Sequence, residues 1–226
     1  MQIVILCGGL GSRLKNLTKN KPKSLIKIKG SPFIDYQLKL YKKNNFNKAL
    51  LCYGHLGHKL KKYLDEKEID FKIEYSYDGK KQLGTGGALK KAFKKLDKQF
   101  CVVYGDSYLP INYKSLFTKF NDSKKEIIMT VYKNNNKDDK SNISIVNNKM
   151  IYDKQNTNSK MEYIDYGFIM IKKKLISKIK KKKFDLSDLM TILSYKNKVD
   201  FIIVNKPFYE IGSRSGIKKF NKYLNK

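Results

Sequence analysis

A chain of 226 residues can bury one sizeable α/β core and is short for two, so a single catalytic-size domain over 1–226 is expected. Lys and Arg total 49 against 20 Asp and Glu, a formal net charge of +29, which raises nucleic acid and anionic membranes as partners. The charge is nearly all lysine spread along the whole length, Arg13 and Arg214 being the only arginines, and no RNA-binding aromatic motif or zinc-finger spacing concentrates it, so specific nucleic-acid binding is not expected as a main role. Cys7, Cys52 and Cys101 each lie in a short apolar run and form no Cys-x-x-Cys pair, which suits a reducing compartment. The first apolar run lacks a basic lead and is too short for a signal peptide or a membrane span, so a cytoplasmic location without membrane insertion is expected.

The first element, Ile3, Val4, Ile5 and Leu6, has the length and composition of a strand buried on both faces of a parallel sheet. It runs into Gly8, Gly9 and Gly11, which carry no side chains to keep a bound group off the main chain, so successive backbone N–H groups can face an anion. Arg13 follows, then Lys21 and Lys23 around Pro22, fixed positive charge that suits a triphosphate. A dinucleotide fingerprint would need glycine at Leu14, and the Gly-Lys-Ser/Thr of a P-loop occurs nowhere. A helix is predicted from Pro32 through the stripe Phe33, Ile34, Leu38 and Tyr41, then a buried strand over 49–53 and a helix over 54–64. His55 and His58, the only histidines, lie in that helix without a third metal ligand and are read as surface or packing residues. A strand over 71–75 ends in the turn Asp78-Gly79. Gln82, Gly84, Thr85, Gly86 and Gly87 open a helix, with Thr85 as its cap and Ala88, Leu89, Ala92, Phe93 and Leu96 inward, and the glycines allow a flat ligand close to the backbone. The strand over 100–104 ends in Gly105 and Asp106. An acidic residue at the carboxyl end of a parallel strand points into the crevice where such sheets bind ligands, so Asp106 can hold a metal.

Beyond residue 110 the pattern changes. A strand is predicted over 126–132, a polar loop expected to be mobile over 134–140, and a hairpin from 143–146 and 150–152 joined at Asn147, Asn148 and Lys149. Asp153 and Lys154 close the hairpin. Residues 162–167, ending at Gly167, lead into an apolar strand over 168–171, and a very basic helix over 175–183 is read as a solvated face. A further helix begins over 184–189 and a strand runs over 199–204. Tyr209, Glu210, Ile211, Gly212 and Ser213 then precede a closing helix through Ile217, Phe220 and Tyr223.

Gly8-Gly9-Leu10-Gly11-Ser12-Arg13-Leu14 followed by Lys21-Pro22-Lys23-Ser24-Leu25 resembles the two-part signature of the sugar-phosphate nucleotidyltransferases, which make nucleotide sugars from a nucleoside triphosphate and a sugar 1-phosphate. The resemblance continues through the Gly-Thr-Gly-Gly-Ala stretch, the Gly-Asp pair and the Tyr-Glu-Ile-Gly-Ser stretch, and covers essentially residues 2–216. It implies a Rossmann-like α/β three-layer sandwich with a mainly parallel central sheet and a small hairpin subregion over the acceptor pocket. The nucleotide-binding half would span about 1–110 and the acceptor half about 111–226.

By the same resemblance, Leu6, Gly8, Gly9, Gly11, Ser12, Gln82, Gly84, Thr85 and Gly105 would bind the nucleotide, Arg13 would contact the β- and γ-phosphates, and Lys23 would act at the α-phosphate. Asp106 and Glu210 would hold Mg²⁺, the glutamate standing where the family usually has aspartate. Asp153, Lys154, Asp165 and Gly167 would contact the acceptor, Asp153 standing where many members carry glutamate. An oxygen of the sugar phosphate attacks the α-phosphorus in line and pyrophosphate leaves, so positioning and charge neutralisation are needed more than a covalent nucleophile or a general base. The Leu-Gly-Thr-Gly-Gly-Ala stretch in a single short domain looks most like the guanylyltransferases of heptose or mannose 1-phosphate, which serve cell-surface polysaccharide synthesis. A cytidylyltransferase with a phosphocholine or phospho-amino-acid type of acceptor, and a non-catalytic nucleotide- or polyanion-binding relative, are the alternatives. The base, the acceptor and a homodimeric assembly stay open at this level.

Overall fold

The computed structural model describes residues 1–137 and 139–225, with every side chain among them except those of Lys15 and Asn16. The first half alternates strand and helix: β1 (Gln2–Leu6), a short α1 (Lys15–Thr18), the two-residue strands β2 (Lys27–Ile28) and β3 (Ser31–Pro32), α2 (Phe33–Lys43), β4 (Lys48–Tyr53), α3 (Gly57–Asp65), β5 (Lys72–Tyr77), α4 (Gly84–Lys91) and β6 (Gln99–Tyr104). Four of these strands make the parallel part of one sheet, in the order β5-β4-β1-β6. Val4 is level with Leu50 on one side and Val102 on the other. Flanked on both edges, β1 is buried at every residue, which is why its sequence does not alternate.

The second half adds β7 (Ser107–Tyr108), α5 (Tyr113–Asp122), β8 (Ile127–Lys133), β9 (Ile143–Val146), β10 (Lys149–Tyr152), β11 (Tyr163–Lys172), α6 (Lys173–Ser177), α7 (Leu186–Tyr195), β12 (Asp200–Val204), β13 (Tyr209–Glu210) and α8 (Arg214–Tyr223). Direction reverses at β11, which runs antiparallel to both β6 and β8, while β12 is parallel to β8. The β9–β10 hairpin branches from β11 at the pair Tyr163–Ile143. Its turn residues Asn147 and Asn148 have φ of 48° and 57°, the left-handed pair that a two-residue hairpin demands and that asparagine tolerates.

Helices cover both faces of the sheet. Ile3 and Ile5 share a core with Ile34 and Leu38 of α2, Leu60 of α3 and Phe120 of α5. Val4 and Leu6 share the opposite core with Leu89 of α4, Ile176 of α6 and Leu186 of α7. Burial of each such side chain stabilises the fold by roughly 1.5–3 kcal/mol. A third cluster fixes α8 against the start of the chain, where the Phe220 and Phe33 rings meet edge to face at 5.2 Å between centroids and enclose Leu14 and Ile211. The result is the α/β three-layer sandwich with a mainly parallel centre and a small hairpin.

Local differences from the predicted elements have physical causes. The helix predicted over 54–64 starts at Gly57, because Leu56 has a left-handed backbone (φ 55°) and Gly57 N–H closes a turn on Gly54 O at 3.0 Å. His55 therefore precedes the helix that carries His58. Pro32 ends β3 and precedes α2 rather than being its first residue. The basic helix predicted over 175–183 shrinks to α6, since four consecutive lysines, 180–183, gain nothing from helical spacing of like charges. Residues 182–184 run instead along the start of α4, where Phe184 N–H donates to Leu83 O at 3.0 Å. The predicted lead-in over 162–167 lies mostly inside β11, whose register shifts between Asp165 and Ile169 around Gly167 (φ 89°). Residue 138 of the predicted loop 134–140 lies outside the described residues. The base of that loop is closed by paired bonds, Asn136 N–H to Ser141 Oγ (3.1 Å) and Ser141 N–H to Asn136 Oδ1 (2.8 Å).

Candidate active site

The carboxyl ends of β1 and β6 lie side by side. Gly105 N–H donates to Leu6 O at 3.0 Å, and a Cβ at Gly105 would stand 2.7 Å from Cys7 Sγ, so only glycine lets the two strand ends approach this closely. Asp106 is thereby delivered beside the glycine loop. The segment after it pairs with β13, Ser107 opposite Glu210, and Ile211 N–H donates to Asp106 O at 2.9 Å. Two carboxylates far apart in sequence are thus carried on adjacent backbone.

Four predicted residues converge here. A Cβ built at Gly212 would lie 2.5 Å from Glu210 Oε2, 3.0 Å from Arg13 Nη2 and 3.2 Å from Asp106 Oδ2. Lys23 Nζ donates to Asp106 Oδ2 as an ion pair, with the two side chains 21% and 17% exposed. Glu210 also accepts from Gly212 N–H (2.6 Å) and from Ser213 Oγ (2.7 Å), while Ser213 Oγ caps α8 through Gly216 N–H (2.9 Å). The carboxylate is held at a helix N-terminus, where the helix dipole favours negative charge.

Among the described residues no group of three or more His, Cys, Asp or Glu is placed to hold a metal. Two carboxylates whose oxygens face one point nevertheless fit Mg²⁺, which is commonly held by one or two carboxylates together with substrate phosphates. Asp106 would exchange its lysine partner for the ion. The residues therefore fit a divalent cation with phosphate oxygens completing the shell.

Beside this cluster opens a cleft of about 1070 Å³. Of the predicted nucleotide residues, Leu6, Gly8, Gly9, Gln82, Gly84, Thr85 and Gly105 line it, together with Lys23 and Asp106. Gly11 and Ser12 do not. Gly11 has a left-handed φ of 71° and its carbonyl accepts from Leu14 N–H (2.9 Å) and Thr18 Oγ1 (3.0 Å), so it shapes the loop from behind. Arg13 and Glu210 stand at the cleft's end rather than in its wall. His55 and His58 line the cleft, although neither stands in a motif that would place it there.

The glycines of α4 also seat another segment of the chain. A Cβ at Gly84 would stand 2.4 Å from Phe184 O, one at Gly86 2.1 Å from the Phe184 ring, and one at Gly87 2.7 Å from Lys182 O. Phe184 O accepts from Gly86 and Gly87 N–H, each at 3.0 Å, so the free amides of the helix start are taken by the chain itself. Thr85 does not cap its own helix. Its N–H donates to Asp185 Oδ1 (3.0 Å) and its Oγ1 accepts from Leu186 N–H (2.8 Å), so α4 and α7 cap one another. The segment 181–188 thereby becomes a wall of the cleft through Lys181, Lys183, Phe184, Asp185 and Asp188. Gly86→Ala should lower stability by about 1–3 kcal/mol through overpacking against Phe184. Thermal unfolding without nucleotide checks this, and an unchanged midpoint would remove Phe184 from that seat.

Asp78, expected in a turn, lines the cleft. It follows β5 as Asp106 follows β6, and the same strand-end argument could have found it. Burial pushes its carboxyl up to about 6, with Lys91 opposing the shift. The folded chain binds this proton more tightly than the unfolded chain, so the group weakens the fold as pH rises from the usual carboxylate range to about 6 and by a constant amount above. Asp78→Asn should therefore raise stability at pH 7.5 by on the order of 1–3 kcal/mol, a gain that fades towards pH 4. Melting curves at both pH values check this, and destabilisation at pH 7.5 would contradict it.

The acceptor residues divide. Asp153 is buried, and its carboxylate accepts from Gln155 N–H (3.0 Å), Asn156 N–H (2.8 Å), Asn156 Nδ2 (3.3 Å) and Tyr195 Oη (3.4 Å). Those bonds, led by the Asn156 amide, hold its carboxyl below the usual range and commit it to its own turn. Asp165 is different: burial raises its carboxyl, while Gly167 N–H (2.8 Å) and the charge of Lys154 oppose the shift. Asp165, Lys154 and Gly167 gather near Tyr104, a residue of the cleft wall.

The chain is 36% identical over 124 residues to the D-glycero-alpha-D-manno-heptose 1-phosphate guanylyltransferase of Campylobacter jejuni, covering 55% of each. It is 32% identical over 137 residues to the CTP:phosphoglutamine cytidylyltransferase of the same organism, covering 59% of this chain and 53% of the relative. It thus spans about half the length of the curated relatives it matches. The structure superposes on that of HddC from Yersinia pseudotuberculosis with a TM-score of 0.79 at 22% identity over 99% of both chains, a likeness of fold. The nucleotidyl transferase family model matches residues 2–153, more than half of the chain, and the chain belongs to that family.

Proposed function

We propose that the protein transfers a nucleoside monophosphate from a nucleoside triphosphate to a phosphorylated acceptor, releasing pyrophosphate, with GTP and a sugar 1-phosphate of the heptose or mannose type as the favoured pair. The observation that carries this reading is the convergence of Arg13, Lys23, Asp106 and Glu210 at the end of a cleft floored by Gly8 and Gly9. A guanylyltransferase among the relatives supports the choice of base and acceptor, and HddC has been solved in a complex with GMP-PN. One domain would provide a nucleotide half and an acceptor half, and cell-surface polysaccharide synthesis in the cytoplasm is the setting that the acceptor class suggests.

Asp106 and Glu210 would hold Mg²⁺, which supplies charge neutralisation at the triphosphate. Arg13 presents a planar fork of donors to the terminal phosphates, and Lys23 presents a compact charge to the α-phosphate, where negative charge grows. Lys154 would orient the incoming phosphate, with Asp165 and Gly167 beside it. The work is positioning and electrostatic stabilisation throughout.

A cytidylyltransferase acting on a non-sugar phosphate is the second reading. Asp153 favours it, because its carboxylate is spent in its own turn and leaves the expected sugar contact empty-handed, and one relative is a CTP:phosphoglutamine cytidylyltransferase. Pyrophosphate release, measured for four nucleoside triphosphates against sugar 1-phosphates and phosphorylated alcohols or amino acids, decides between them. Release with GTP and a sugar 1-phosphate supports the first reading, release only with CTP and a non-sugar acceptor the second, and none with any pair contradicts both.

A further inference from the structure

Asp78 is held where an unpaired carboxylate is costly. Its N–H donates to Tyr53 O at 2.8 Å, which fixes the strand end of β5 against that of β4. Its Oδ2 faces the glycine loop, since a Cβ at Gly8 would lie 2.8 Å from it and one at Gly54 4.0 Å from it. Its Oδ1 is buried without a hydrogen-bond partner. A buried acceptor left unsatisfied is rare and destabilising, and a donor brought by a ligand would relieve it.

The cleft says what that partner offers. Gly8 and Gly54 face Asp78 with bare backbone and Gly79 follows it in the chain, a slot suited to a flat ring, while the phosphate-directed Lys23 lies over Gly9 and pairs with Asp106, with Arg13 beyond. The side-chain positions of the α4 glycines are taken by Phe184 and Lys182, although Gln82, Gly84 and Thr85 still line the cleft. Two carboxylate oxygens are two acceptors side by side. Guanine alone among the common bases presents two adjacent donors on its pairing edge, N1–H and the 2-amino group. Uracil and thymine place carbonyl oxygens beside their single N–H, and cytosine and adenine place a ring acceptor beside their amine, so each would set oxygen or nitrogen lone pairs against Asp78.

We infer that Asp78 is the base-reading residue of the cleft, its carboxylate accepting N1–H and the 2-amino group of guanine and so selecting GTP. The inference rests on the nucleotidyltransferase reading. The other ionisable groups facing this place are Lys91 of α4, the thiols Cys7 and Cys52, whose burial keeps them neutral, and His55 and His58 across the cleft. Because Asp78 titrates near 6, GTP binding weakens relative to UTP binding as pH falls below that value, and the comparison with UTP cancels the histidines.

The test is equilibrium binding of GTP, ITP, UTP, CTP and 2′-deoxy-GTP to the wild-type chain and to Asp78→Asn, with Mg²⁺ present. The wild-type should favour GTP, with ITP weaker because it lacks the 2-amino group. Asp78→Asn should weaken GTP about 10- to 100-fold, the range expected when a charged acceptor pair is lost, and leave UTP and CTP within about threefold. The pH dependence of GTP binding relative to UTP binding should vanish in the variant. Unchanged GTP binding by Asp78→Asn, an equal loss for all nucleotides, or a loss on removing the 2′-hydroxyl as large as that of the variant would each overturn the assignment. A wild-type that prefers UTP or CTP overturns the assignment of Asp78 and leaves nucleotidyl transfer standing. A wild-type that binds no nucleotide overturns both.

Discussion

Asp106→Asn should lower turnover by roughly two orders of magnitude or more at saturating Mg²⁺, the usual scale for removing one preorganised charge from a transition state. Asparagine keeps the size of the side chain and takes away its charge. The backbone bond from Ile211 N–H to Asp106 O remains, so the β7–β13 pairing that brings Glu210 alongside is untouched. Lys23 loses its ion-pair partner, but both side chains are partly exposed and such pairs contribute little to stability. The variant should melt close to the wild-type while turning over far more slowly. Unchanged turnover would take Asp106 out of the mechanism.

Lys23→Ala should lower the catalytic constant much more than it weakens nucleotide binding. Pro22 fixes the backbone before the lysine, and the side chain lies across the glycine loop, with Nζ 4.0 Å from where a Cβ at Gly9 would be. An ammonium held there meets the charge that grows at the α-phosphate, and an interaction made mainly in the transition state shows itself in turnover. In the chain without substrate the same ammonium is paired with Asp106. Lys19→Ala is the control, because Lys19 is exposed at the end of α1 and does not line the cleft. Equal, small effects of the two substitutions would mean that the loop lysines act only as a diffuse positive field.

The parallel core was legible because its strands are unbroken apolar runs ended by glycine, and burial on both faces admits little else. Asp106 was legible for the same reason, as the acidic residue after such a run. Asp78 follows β5, whose alternating, half-exposed pattern marks an edge strand, so the residue read as a turn although its side chain enters the cleft. The path of 178–185 was illegible because a lysine run carries charge but no packing information. Its course is set by Phe184 and by the backbone of 182–184 seating on glycines a hundred residues earlier. Those glycines show the limit of motif reading: glycine reports that something comes close to the backbone, and at 84–87 the close approach is made by the chain's own backbone and an aromatic ring. The turn that Asp153 closes was not legible in the motif, since a carboxylate two residues before free amides bonds to them whatever else it meets.

The most direct measurement follows the phosphorus. A nucleoside triphosphate labelled at the α-phosphate is incubated with the protein, Mg²⁺ and the acceptor that gives the strongest pyrophosphate release, in parallel with the same nucleotide labelled at the γ-phosphate. The account predicts the α-label in a product that also contains the acceptor and the γ-label in pyrophosphate, both formed about 100-fold more slowly or worse with Asp106→Asn. A γ-label on the acceptor, or an α-label found only in free mononucleotide or dinucleotide phosphate whether or not acceptor is present, would contradict it.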